Sequence, residues 1–138
     1  MSIISAVQTF IKTYTGLNGL VYVDMVGQNP TEYAVVPIPG TRIVEKYLDN
    51  SSLREFNFAF QSVESTADDA ARLGNSEFYE NFADWLESQT ESGTLPTMAS
   101  GKTAEKIEAV TGGYLYQEGE SGTAIYQITC KLTYSQDA

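Results

Sequence analysis

Hydrophobic and polar residues alternate most strictly near the C-terminal end of the chain. Tyr126, Ile128, Cys130, Leu132 and Tyr134 hold every second position, with Gln127, Thr129, Lys131 and Thr133 between them. Successive side chains of a strand point to opposite faces, so this pattern predicts a strand over 123–134 with one apolar face. A second extended run, 107–117, precedes it across Glu118-Gly119-Glu120-Ser121-Gly122, and the pair reads as an antiparallel hairpin. Gly112-Gly113 inside that run predicts a bulge or a point of close backbone approach. A third run, 53–63, puts Phe56, Phe58 and Phe60 on one face. Such strands need each other and a helix to cover their apolar side.

Two stretches carry the helical period instead. From 2 to 14, Ile3 or Ile4, Val7, Phe10, Ile11 and Tyr14 recur at three and four residues, opposite Ser5, Gln8, Thr9 and Lys12. Thr15-Gly16 ends that helix and Asn18-Gly19 turns the chain. Further on, Thr66-Ala67-Asp68-Asp69 has the form of a capping box opening a short helix through Leu73. Gly74-Asn75-Ser76 predicts an interruption and a second cap, with a helix over 77–90 to follow. There Phe78, Phe82, Trp85 and Leu86 form the apolar face, with Tyr79 at its margin. This is the helix expected to cover the sheet.

The remaining segments are weaker. A short apolar strand is expected over 20–25, and a loop at 27–31, where Gly, Asn and Pro cluster. Tyr33-Ala34-Val35-Val36-Pro37-Ile38-Pro39-Gly40 is β-prone, but proline donates no ladder bond, which predicts an edge strand broken at Pro37. Residues 42–48 are expected to pair with the 53–63 strand across Asp49-Asn50-Ser51-Ser52. Helix, strands, helix and two strands compose an α+β fold. The chain reads as a single domain, 1–138, with a mainly antiparallel sheet flanked by an N-terminal and a central helix.

Composition changes the picture chiefly through charge. Eighteen acidic residues against eight basic leave a net charge of −10, a poor basis for holding nucleic acid or an anionic membrane. One cysteine excludes an internal disulfide, and Cys130 sits on the apolar face of its strand as a buried thiol. No run reaches membrane-spanning length, and the N-terminus has no basic region before an apolar core, so a protein made and kept inside the cell is expected.

Histidine is absent. That removes Ser-His-Asp and Cys-His catalysis and the commonest general base near neutral pH. Gly101-Lys102-Thr103 resembles the end of a phosphate loop, but the glycine required five residues earlier is Pro96. No calcium-loop spacing occurs. The expectation is a protein without enzymatic activity, cofactor or metal. Two features remain as candidate surfaces. Glu77, Glu80, Asp84, Glu87 and Glu91 recur at three and four residues on one helix face with no cation between them. That face is either simply solvated, or it keeps clear of a polyanion or meets a basic partner. The proline-bearing segment 27–40, with Asn29, Pro30, Pro37 and Pro39, offers an exposed interface loop that is inexpensive to order.

Four stretches carry a family resemblance: Tyr33-Ala34-Val35-Val36-Pro37, Arg54-Glu55-Phe56-Asn57-Phe58-Ala59-Phe60, Phe78-Tyr79-Glu80-Asn81-Phe82-Ala83-Asp84-Trp85-Leu86, and the ending from Tyr126 to Tyr134. Through them the chain resembles the minor capsid or tail-completion proteins of tailed phages and prophages of Gram-positive bacteria. Some members carry a chloramphenicol-resistance label, which a chain without histidine cannot justify by the histidine-dependent chemistry. The element order is also similar to that of phage tail terminators. That resemblance implies a virion protein made in the host cytoplasm, forming a ring, commonly a hexamer, at the head-proximal end of the tail. Its partners would be further copies of itself, the tail tube protein and the head–tail connector. DNA would only pass through, and the acidic residues would line the channel and repel phosphates. The net charge of −10 on each copy resists close packing until a tail provides a template, so isolated subunits are expected to be monomeric at low salt, with self-association rising as salt screens the repulsion. The family supplies no catalytic residues. A head–tail joining protein of the neck is the nearest alternative, and a small-molecule binding domain with a deep apolar pocket is the unrelated one.

Overall fold

The structure, a computed structural model, describes residues 2–17, 19–24, 32–119 and 122–138. The expected turn residue Asn18, the end of the first strand at Met25, the loop 27–31 and the turn residues Glu120 and Ser121 lie outside the described residues.

Two 14-residue strands form the middle of the sheet, β4 (Ser52–Ser65) and β7 (Thr123–Gln136). They pair antiparallel over their whole length, from Ser52 opposite Gln136 to Ser65 opposite Thr123. Both exceed the lengths the alternation predicts, because each extends into polar residues that still find ladder partners. β2 (Tyr33–Pro37) and β3 (Ile43–Lys46) lie end to end along the free side of β4. On the free side of β7 lie β5 (Lys102–Ala109) and β6 (Tyr114–Glu118), also end to end. β1 (Val21–Val23) pairs parallel to β2. The sheet is therefore mainly antiparallel, and with two helices among the described residues the fold is α+β, as the patterns predict.

Period two sorts β4 and β7 into two faces. Phe58, Phe60, Ile128, Cys130 and Leu132 point to one face and are fully buried. Helices α1 (Ile3–Ile11) and α2 (Asp69–Ser92) pack there, through Val7, Phe10 and Ile11 and through Tyr79, Phe82 and Leu86. Phe82 stacks on Phe60 with ring centroids 4.5 Å apart. No described helix covers the opposite face. Its polar residues bond to one another: Lys131 with Glu55 at 3.2 Å, Gln61 donating to Gln127 at 2.8 Å, and Gln127 donating to the Tyr114 hydroxyl at 2.5 Å.

Several expectations need correcting. The run 107–117 is not one strand: β5 begins earlier, at Lys102, and the ladder breaks between Ala109 and Tyr114. The break is where the glycine pair permits close approach, since a Cβ on Gly113 would lie 2.3 Å from the Tyr79 Cβ. β2 is not an edge strand, because β1 lies outside it. Pro37 is tolerated because β2 points its Tyr33 N–H at Leu20 of the β1 side, and alternate N–H groups follow. The missing donor of Pro37 would point the same way, beyond the last β1 partner, Val35.

The central helix is continuous from Asp69 to Ser92 and is not interrupted at Gly74. Its N-cap is Asp68, whose carboxylate accepts from Ala71 N at 2.8 Å, and not Thr66, whose N–H donates to the Gly122 carbonyl. Asn75 does not cap either; its amide donates to the Ser65 carbonyl at 2.9 Å and ties the helix to the end of β4. Gly93, at φ 75°, closes the helix in the left-handed conformation. Tyr79 is fully buried at the centre of the apolar face, not at its margin. Trp85 is half-buried and lies between the helices, with Phe10 5.1 Å and Tyr14 4.9 Å away, rather than on the sheet.

Candidate functional site

Helix periodicity brings Glu77, Glu80, Asp84, Glu87 and Glu91 onto one face of α2, and all five are exposed. They do not merely face away from the protein. α2 leans toward the β5 side of the sheet, where the Thr90 hydroxyl donates to the Ile107 carbonyl at 2.7 Å and accepts from its N–H at 3.1 Å. One side chain thus takes both outward backbone groups of Ile107 and pins the end of the helix to the sheet edge. Between helix and strand lies a cleft of about 340 Å3. Ala83 and Ala109 give it an apolar lining over the wholly buried Ile107, and Asp84, Glu87 and Glu91 give it an acidic wall. Lys106 also borders it, held at 2.9 Å by Glu108. Glu80 and Asp84 border a neighbouring depression with Gly112 and Gly113. The acidic stripe rims the edge formed by β5 and the β5–β6 connection.

The opposite edge has a different character. All four residues of β3 are exposed, and Ile43, Val44, Tyr47 and Leu48 present large apolar groups to solvent. Leu48 retains its full surface, 105%. The hairpin tip carrying it is well fixed. Tyr47 N donates to the Ser51 carbonyl at 2.9 Å, and Asn50, at φ 71°, donates back to the Tyr47 carbonyl at 3.0 Å. The Asp49 carboxylate accepts from the Ser51 hydroxyl and N–H, and these bonds hold its carboxyl below the usual range. Arg42 and Lys46 flank the apolar residues, and Arg54 lies opposite Ile43. Periodicity could not mark this hairpin as a surface, because its alternation is weak and its apolar residues resemble core positions.

The expected interface loop falls only in part on described residues. Pro37 and Pro39 are exposed, Pro37 at the end of β2. Asn29 and Pro30 lie outside the described residues. The tract 33–37 is built into the sheet and is not a free loop.

A buried polar group also lies under α2. Ser62 and Glu64 share the apolar face of β4 with Phe58 and Phe60, as their even numbers alone could have shown. The Ser62 and Tyr79 hydroxyls are 2.6 Å apart, and Tyr79 also donates to the Tyr126 carbonyl at 3.1 Å. Burial pushes the Tyr79 phenol up, so it remains a neutral donor. Burial likewise raises the Glu64 carboxyl, opposed by the Ser62 hydroxyl. Tyr14, raised by burial and then by Tyr33 and Asp84, closes the far end of this aromatic layer. The Cys130 thiol is wholly buried and raised by desolvation, far from the thiolate form a nucleophile needs.

Among the described residues no three His, Cys, Asp or Glu side chains are grouped to hold a metal ion. Likewise no helix among them is long and apolar enough to cross a membrane. No protein-family model matches the chain, and no curated protein matches it.

Proposed function

We propose that this chain is a structural protein of a tailed phage or prophage particle, a tail terminator that closes the head-proximal end of the tail as a ring of six identical subunits. The observation that carries the reading is the asymmetry of the two sheet edges. One edge bears a rigid apolar hairpin with cations, and the other an apolar cleft with an acidic wall. Identical subunits that close a ring meet through two different patches on opposite sides of each copy, which is what such edges provide. The resemblance of the segments 33–37, 54–60, 78–86 and 126–134 to tail-completion proteins supports the same role.

In that role the tail tube and the connector of the head bind above and below the ring, and DNA passes without being held. Glu77 lies outside the cleft wall and, with Glu80, is the part of the acidic stripe left to face the channel. The chain performs no chemistry and needs no cofactor. The test is a phage or induced prophage in which this gene alone is disrupted. Tails of irregular, extended length beside unattached heads are expected, both corrected by supplying the chain. Tails of normal length that still join heads overturn the terminator reading. Normal tail length with heads left unattached would instead assign the chain to the neck.

A further inference from the structure

We infer that the 43–48 hairpin of one copy docks into the α2–β5 cleft of the next, so that Leu48 fills the cleft while Arg42 and Lys46 meet Asp84, Glu87 and Glu91. This rests on the ring reading and names the contact that would close the ring. Three observations lead to it. The hairpin is the most exposed apolar projection among the described residues, with Ile43, Val44, Tyr47 and Leu48 all open to solvent. Its tip is held by the Asp49–Ser51 and Tyr47–Asn50 bonds, so little order is lost on docking. The cleft offers the complement, an accessible apolar lining from Ala83 and Ala109 over the buried Ile107, in about 340 Å3, ample for one leucine side chain.

Charge then selects a second copy as the occupant. Among the described residues Arg42 and Lys46 form no ion pair within the chain, nor do Lys12, Arg54 and Lys102, whereas Arg72, Lys106 and Lys131 each hold an acidic partner. Two cations therefore stand unpaired beside an apolar knob, and an acidic wall stands beside an apolar hole on the other side of the same molecule. Complementary potentials of this kind fix register and partner. Simple addition of strand to strand is disfavoured, because β3 and β5 each carry a register shift and Thr90 occupies the outward groups of Ile107. The contact is therefore made by side chains. β3 lies opposite residues 52–54 of β4, and β5 runs along residues 130–136 of β7 with its cleft residues 106–109 opposite 130–133, so both edges belong to the same half of the central strand pair.

The charge pairs allow a swap. In one variant Arg42→Glu and Lys46→Glu make the hairpin acidic; in another Asp84→Lys and Glu87→Lys make the cleft basic. All four side chains are exposed, so both variants should fold. Each alone should lose self-association by at least about tenfold in sedimentation velocity. A 1:1 mixture should recover it, in complexes with equal numbers of the two variants by native mass spectrometry, since a hairpin of each kind then meets only the opposite cleft. A second measurement catches weak contacts. A Leu48→Cys, Glu87→Cys chain, oxidised, should give a ladder of disulfide-linked oligomers on a non-reducing gel, and either single variant no more than dimers. Wild-type association unchanged by either swap, with no ladder, would place the ring contact elsewhere and overturn this proposal alone. A wild-type chain that neither associates nor cross-links at any concentration in about 150 mM salt, where the repulsion is screened, would remove the ring reading as well.

Discussion

At the scale of single residues, the close approach of the β5–β6 connection to α2 is the most exacting point in the core. Gly113→Ala puts a methyl group into the Tyr79 side chain, 2.3 Å from its Cβ, with backbone on both sides to resist movement. A loss of about 1–3 kcal/mol in urea unfolding is expected. Gly74→Ala is the control, since nothing lies within 4 Å of its added methyl and the site is inside a helix. That change should stabilise by about 0.5–1 kcal/mol. Sequence alone marked both glycines as breaks, and only one behaves as such. Gly113 answers to a neighbour remote in sequence, whereas the helix simply runs through Gly74.

Glu64 gives a pH signature. Its folded pKa lies above the 4.5 of an unperturbed glutamate because burial disfavours the carboxylate. Below that value both states are protonated and the group is stabilising; the benefit is lost as pH rises through the folded pKa. Glu64→Gln should therefore raise the unfolding midpoint at pH 7 and change it little at pH 4. A variant no more stable at pH 7 would show that the carboxylate has a partner worth more than its desolvation.

At the scale of elements, the strands whose faces differ most in polarity were legible from their period, and β1, β2 and β3 from β-prone runs and the turn residues between them. β4, β7 and both helices follow from period, because burial on one face imposes that period on the sequence. Every residue of β3 and β6 is exposed and no face is selected for, so β3 was placed by the turn residues 49–52 rather than by period, and β6 was not separated from β5. The break at 110–113 and the parallel β1–β2 pair depend on contacts no local pattern encodes. Of the candidate site, the acidic stripe was legible from its three- and four-residue spacing. Its place beside β5 was not, because that depends on the Thr90–Ile107 bonds joining elements 17 residues apart. The same reasoning ranks the aromatic residues of α2. Phe82, wholly buried and stacked on Phe60, should cost about 3–5 kcal/mol on replacement by Ala. Trp85 spans only the gap between helices, and Trp85→Ala should cost about 2 kcal/mol. Equal losses, read from denaturant midpoints, would contradict the assignment of Phe82 to the core and Trp85 to its rim.

At the scale of the molecule, net charge opposes assembly while the local patches favour it. Each copy carries −10, and at low ionic strength this repulsion reaches roughly 30 Å, contracting to about 8 Å under physiological salt. Charges in contact across a closed cleft are screened far less than charges spread over two surfaces. Self-association in light scattering should accordingly rise between about 10 mM and about 150 mM salt. A steady fall over that range would mean that ion pairs dominate the contact and the apolar hairpin contributes little.

Whether identical copies close a ring at the end of a tail can be seen by imaging tails assembled without the chain after the purified chain is added back. Electron cryo-microscopy should then show one ring of six copies at a single end of each tail. Within it the hairpin bearing Leu48 should lie against the α2–β5 cleft of the next subunit, and only such tails should join heads. Tails that bind no ring, or that join heads equally well without one, would contradict the account.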